Sequence, residues 1–138
     1  TTLINKMIKF GYTILYVSDV NKSINFYEKA FGFTRKFITA ENDYGELETG
    51  QTTLSLAAKE LANTNLRDGF IASSLAQKPF ATELGFITDK VSEIVDLAVH
   101  HGAIIVEKPT QKPWGQTVAY LRDIDGFLIE LCTPIPHG

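Results

Sequence analysis

Three histidines, one cysteine and a set of carboxylates on apolar runs are the side chains with most to offer chemically. His100 and His101 are adjacent at the end of an amphipathic stretch, so they point in different directions and suit the negative end of a helix dipole better than a metal. His137 reads as a tail residue rather than a catalytic one. Cys132 has no histidine near it in sequence to activate it, which favours a small buried hydrophobe. No Ser-His-Asp order, phosphate loop or Cys-x-x-Cys pair occurs. The carboxylates of interest are Glu83 and Glu130; Glu46 and Glu48 share one strand face and read as solvated. Carboxylates can hold a cation or move protons. Tyr12, Tyr16 and Trp114 could stack on a flat or cationic ligand, at about 0.5–2 kcal/mol per contact. For Tyr16 the competing reading is filler of core or interface space. Trp114 lies between Pro113 and Gly115, where core packing explains it less well.

These residues must be positioned by regular elements, and the pattern supplies them. Met7 to Val17 is largely β-branched and aromatic and reads as a strand, with Ser18-Asp19 suited to capping a helix. Val20, Ile24, Tyr27 and Phe31 recur at helical spacing, and Gly32 stands where a left-handed residue would end that helix. Strand-like runs follow at Phe33 to Ala40, Tyr44 to Thr49 and Thr52 to Ala58. From Lys59 to Pro79 periodicity fades, giving a connector with room for a short helix. The pattern then restarts: a strand from Thr82 to Thr88, Asp89 as a cap, and a helical stripe of Val91, Ile94, Val95 and Ala98 ending at Gly102. Asp19 and Asp89, Ile24 and Ile94, and Gly32 and Gly102 are each 70 residues apart. Ala103 to Val106, Gln116 to Leu121 and Phe127 to Cys132 are the last three strands. The chain is thus expected to be α+β, two tandem βαβββ modules forming curved mixed sheets around a cup. One domain, 1–138, would hold a first module at about 7–58, a connector at about 59–80 and a second module at about 81–134.

Each helix can cover only one face of its sheet, so strand alternation divides the residues. Leu54 and Leu56, Leu84 and Phe86, and Phe127, Ile129 and Leu131 suit the helices. That leaves Thr53, Ser55 and Ala57, then Glu83, Gly85 and Ile87, then Leu128, Glu130 and Cys132 on the other faces. In the first strand, Thr13, Leu15 and Val17 oppose Tyr12, Ile14 and Tyr16. The non-helix face mixes polar and apolar groups, as a ligand cavity requires.

Composition agrees with a globular domain: 138 residues, 44% hydrophobic and 21% charged. A net charge of −3 with scattered basic residues offers no footprint for nucleic acid or a membrane surface. A lone cysteine forms no internal disulfide, and no signal-type segment opens the chain, so a cytoplasmic location is expected.

Ile14-Leu-Tyr-Val-Ser-Asp-Val20, Ser23-Ile-Asn-Phe-Tyr27, Phe31-Gly-Phe33, Pro113-Trp-Gly115 and Leu121-Arg-Asp-Ile-Asp-Gly-Phe-Leu-Ile-Glu-Leu131, in that order over a repeat, resemble the vicinal oxygen chelate superfamily. That superfamily contains glyoxalases, extradiol dioxygenases and bleomycin- and fosfomycin-resistance proteins. Many relatives have Asp-Pro-Asp-Gly where this chain has Asp123-Ile124-Asp125-Gly126. The resemblance implies a divalent ion in metal-dependent members, held by His, Gln or Glu from four strands. Those places fall here on Tyr12, Ser55, Glu83 and Glu130, of which only the glutamates are ordinary ligands. Two carboxylates in one cup would repel; either a cation sits between them or one is protonated, with its pKa raised. The expected function is therefore binding of a small organic molecule in the cup without metal or other cofactor, as resistance proteins sequester a drug. The alternative is a lyase, isomerase or dioxygenase with Zn, Ni, Fe or Mn on Glu83 and Glu130, or with these two as acid and base. Family members of this length also imply a homodimer.

Overall fold

The computed structural model describes residues 7–136, so His137 lies outside the described residues. Local rules set the first helix. Asp19 stays extended at the N-cap and its carboxylate accepts the Lys22 N–H at 3.1 Å; Gly32, at φ 74, closes the other end. Between them runs α1, Val20–Phe31, with Val20, Ile24 and Tyr27 buried along one stripe.

Around α1 lie β1 (Tyr12–Val17), β2 (Thr34–Ile38), β3 (Tyr44–Glu48) and β4 (Thr53–Ala58), in the sheet order β1-β4-β3-β2. After α2 (Lys59–Asn65) and an irregular stretch, the second half contributes β5 (Glu83–Ile87), α3 (Val91–His100), β6 (Ile104–Gln111), β7 (Thr117–Arg122) and β8 (Leu128–Cys132). Its sheet order is β5-β8-β7-β6, the same topology as the first. In each sheet the first and last strands pair in parallel and the remaining pairs are antiparallel. The fold is therefore α+β with two βαβββ modules, as the repeat predicts.

The helices bury the strand faces assigned to them. Leu15, Val17, Leu54 and Leu56 are buried in the first sheet, and Ile129 and Leu131 in the second. The helices α1 and α3 pack against each other, and Phe86 of β5 meets Tyr27 and Phe31 of α1, so one core runs through both modules. A chain of side-chain bonds adds to it. The buried Tyr27 hydroxyl donates to Asp123, and the Ser23 hydroxyl to Asp125 at 2.5 Å. Both acceptors sit in the β7–β8 turn.

Several boundaries differ from the sequence-based expectation. The segment 7–11 does not join β1, because Tyr12 pairs with Thr53 at the start of β4 and no partner strand extends further back. Met7 and Ile8 are left 80% and 83% exposed. In contrast β6 is longer than Ala103 to Val106, since it pairs with β7 as far as Gln111↔Thr117. Pro109 is accommodated there because β6 is an edge strand with irregular register beyond Glu107. Asp89 does not cap α3: Lys90 occupies that position without a side-chain cap, and its N–H goes to the Thr88 hydroxyl at 3.1 Å.

Candidate functional site

On the second sheet, the face away from α3 carries a connected polar group. Glu130 of β8 stands directly opposite Tyr120 of β7 and Gly85 of β5, and Glu83 follows two residues before Gly85 on that same face. Gly85 has no side chain to fill the place beside Glu130, and a Cβ there would meet nothing within 4 Å. Glu83 lies close enough to Glu130 across this gap for the two carboxyls to perturb each other's titration. The interaction with Glu130, then burial, then the neighbouring negative charge push Glu83 up to about 7, while Glu130 is held below the usual range, first by Glu83 and then by Cys132, Tyr120 and Lys112. The Tyr120 hydroxyl donates to Glu130 at 3.0 Å. Burial, reinforced by that bond, raises Tyr120 to about 12, so it acts as a donor and not a base. Cys132 is buried beside Glu130, and burial followed by its bond to Glu130 raises the thiol to about 11, which makes it a poor nucleophile.

The first sheet repeats the arrangement with its groups exchanged. By register Ser55 corresponds to Glu130, Tyr12 to Glu83 and Glu46 to Tyr120. Ser55 is fully buried, and Tyr44 covers it, with the Tyr44 hydroxyl 3.0 Å from Ser55 Oγ and 2.7 Å from Glu46 Oε2. Burial raises Tyr44 to about 12, and Tyr12 is near enough to add to that shift. Ser55 is thus a support under Tyr44 and not an open ligand contact. Glu46 is half-buried and bonded rather than solvated, which corrects the reading of Glu46 and Glu48 as one water-facing pair; Glu48 is exposed. Sequence reasoning missed Tyr44 and Tyr120. The available signal was alternation, which places both on the non-helix faces.

The structure therefore brings Glu83 to Glu130, and Tyr12 to Ser55 by way of Tyr44; among the described residues no hydrogen bond joins these two groups. Glu83 stands at the seam between the modules. It lines a cavity of about 220 Å³ shared with Thr13, Ile14 and Leu128, and another of about 380 Å³ shared with Thr13, Thr53 and Gly85. Tyr16 packs edge-on to Phe70 at 4.8 Å, which ties it to the connector. Trp114 is 61% exposed in the turn between β6 and β7, its indole N–H donating to Gln116 at 2.8 Å. The His100 and His101 rings do not diverge but touch edge-on at 5.0 Å at the end of α3.

The donor set fits a metal poorly. Two carboxylates, with a tyrosine and a buried serine in the corresponding places, supply few ligands for Zn²⁺, Ni²⁺ or Fe²⁺. Among the described residues no three His, Cys, Asp or Glu side chains group to hold an ion. The pair can instead hold a cationic or hydrogen-bond-donating group, or pass a proton to a bound molecule. No described helix is long and apolar enough to cross a membrane.

The family model described as the Glyoxalase/Bleomycin resistance protein/Dioxygenase superfamily matches residues 9–131. The Virulence protein STM3117 of Salmonella typhimurium is 28% identical over 127 residues, covering 89% of this chain and 82% of that protein. The fold resembles a glyoxalase-related enzyme from Fulvimarina pelagi, with a TM-score of 0.79, 18% identity, and coverage of 94% and 92% of the two chains. It also resembles the hypothetical protein SA1046 from S. aureus, with a TM-score of 0.76, 23% identity, and coverage of 97% and 100%.

Proposed function

The chain belongs to the Glyoxalase/Bleomycin resistance protein/Dioxygenase superfamily, and on that premise we propose that it binds a small organic molecule at the Glu83–Glu130 pair without a metal. The observation that carries this reading is geometric: Glu83 and Glu130 stand on one face beside the gap at Gly85, close enough that Glu83 is raised to about 7, which favours its protonated form, while Glu130 is held below the usual range. A ligand with an ammonium, amidine or similar cation replaces that proton and leaves both carboxylates charged and paired. Tyr120 fixes Glu130 from one side, and the apolar lining of the adjoining cavity, Ile14, Leu84 and Leu128, receives the rest of the molecule.

A second copy of the chain completes the site in this proposal. Phe10 is 73% exposed and Ile87 70% exposed, and Ile87 lies on an edge strand. Two such residues beside the seam favour coverage by another molecule, and a homodimer is the form proposed.

The test is a thermal-shift screen with small cationic and neutral aromatic compounds, run with metal analysis of the same protein. A compound that raises the Tm of the native chain and not of Glu130→Gln supports the reading. The alternative, a divalent-metal lyase, isomerase or dioxygenase using Glu83 and Glu130, requires stoichiometric Zn, Ni, Fe or Mn that Glu130→Gln loses. That result would replace the proposal.

A further inference from the structure

Away from the Glu83–Glu130 pair, a cleft of about 250 Å³ lies where the connector crosses the junction of the modules. Its walls are Ser18, Lys59, Ser73, Ser74, Ile124 and Asp125, with Leu75 at the side. Lys59 Nζ donates to Ser18 Oγ at 3.0 Å and has no carboxylate partner; the single ion pair among the described residues is Arg35–Glu28. Ser73, at 7% exposure, is buried in the cleft wall.

The proton inventory of this cleft is one-sided. Ser18 Oγ accepts from Lys59, and Ser74 Oγ accepts from the Ala76 N–H at 3.1 Å, so both hydroxyl protons are free to donate outward. Ser73 adds a third hydroxyl and Lys59 its remaining ammonium protons. The one carboxylate in the wall, Asp125, already accepts from the Ser23 hydroxyl at 2.5 Å and from the Ser18 N–H at 3.4 Å. One carboxylate thus stands against four donor side chains, Lys59, Ser18, Ser73 and Ser74.

The walls are also held in place. Arg122 is buried without a carboxylate partner, and its guanidinium donates to the carbonyls of Gly126 (3.0 Å), Gln77 (2.7 Å) and Ser74 (2.9 Å). This clamps the connector to the β7–β8 turn. Gly126, at φ 95, lets the two backbones meet so closely that a Cβ there would lie 2.8 Å from the Ser74 carbonyl carbon. The serines of the cleft are therefore preset and do not depend on a free loop.

We infer that this cleft is a second ligand site, for the phosphate or carboxylate group of a small molecule, bound by Lys59 and the hydroxyls of Ser18, Ser73 and Ser74. It is separate from the proposed Glu83–Glu130 site and takes ligand chemistry of the opposite charge. Asp125 weakens it by its charge and keeps it selective for a well-placed oxyanion.

Titration of the ¹⁵N-labelled full chain with inorganic phosphate, and separately with sodium acetate, at constant ionic strength tests the inference. Saturable amide shifts at Ser73, Ser74 and Asp125 with either anion support it, and the anion that saturates identifies the head group. Lys59→Gln and Ser73→Ala should each raise Kd at least tenfold; Asp125→Asn should lower it several-fold; Glu130→Gln should leave it unchanged. Lys59→Gln and Ser73→Ala act independently, so misfolding of one, seen as collapsed amide dispersion, leaves the other as the test. Shifts that stay linear with both anions, or a Kd unmoved by both substitutions, would overturn it. Failure of the Glu83–Glu130 reading would leave these outcomes unaffected.

Discussion

Asp123 is fully buried at the junction of the modules, and its titration should be visible in the stability of the whole chain. Burial raises its carboxyl to about 6, against the opposing bonds from the Tyr27 hydroxyl and the Phe127 N–H. An unfolded aspartate titrates near about 3.9. Between these values this carboxyl holds more proton in the folded chain than in the unfolded one, so its contribution to stability is greatest below about pH 4 and falls as pH rises toward 6. A difference of roughly 2 units corresponds to about 3 kcal/mol. Asp123→Asn removes the titration while keeping an oxygen for the Asp125 and Phe127 N–H groups, which both bond Oδ1 at 2.9 Å. Its amide can donate to the Tyr27 oxygen in place of the present bond. Relative to the native chain, Asp123→Asn should gain about 3 kcal/mol between pH 4 and pH 7.5, roughly 10 °C in Tm for a chain of this size. Urea denaturation followed by far-UV circular dichroism at pH 4, 5, 6 and 7.5 measures this. The difference between variants removes the contribution of the other carboxylates. Parallel curves for the two proteins across that range would refute the reasoning.

Glu83→Gln should flatten a second slope of the same sign, because the contribution of a carboxyl raised to about 7 is lost as pH rises from about 4.5 to 7; the same denaturation series reads it. Tyr27→Phe leaves the buried Asp123 without its hydroxyl donor and should cost about 1.5–3 kcal/mol at pH 7, measured as a lower urea midpoint at unchanged m-value. Gly126→Ala should destabilise by about 1–3 kcal/mol, since φ 95 strains any L side chain and the Ser74 backbone blocks its Cβ; a Tm equal to the native value would contradict this. Ile87→Asp should shift sedimentation toward monomer while leaving the far-UV spectrum intact, if the exposed β5 edge meets a second copy.

The architecture was legible because it is periodic. Asp19, the stripe Val20, Ile24 and Tyr27, and Gly32 each obey a local rule, and their recurrence after 70 residues exposes the second module. Alternation put Glu83, Glu130, Tyr12 and Ser55 on the faces they occupy. It could not rank them by access. Ser55 alternates like Glu130 yet is sealed beneath Tyr44, because cover depends on which residue of the neighbouring strand stands opposite, and register is a long-range property. The same limit hid Tyr120 and the bonded state of Glu46.

From its sequence alone, the chain determines two amphipathic helices, two sets of alternating strands and a pair of carboxylates on one mixed face, since each follows from neighbours a few residues away. Tertiary structure alone decided that Glu83 and Glu130 meet beside the gap at Gly85. It alone decided that Tyr27 of one module meets Asp123 of the other, and that Lys59 and Ser73 face a common cleft. Those facts rest on contacts between residues far apart in the chain, which form only when the sheets, helices and connector pack together.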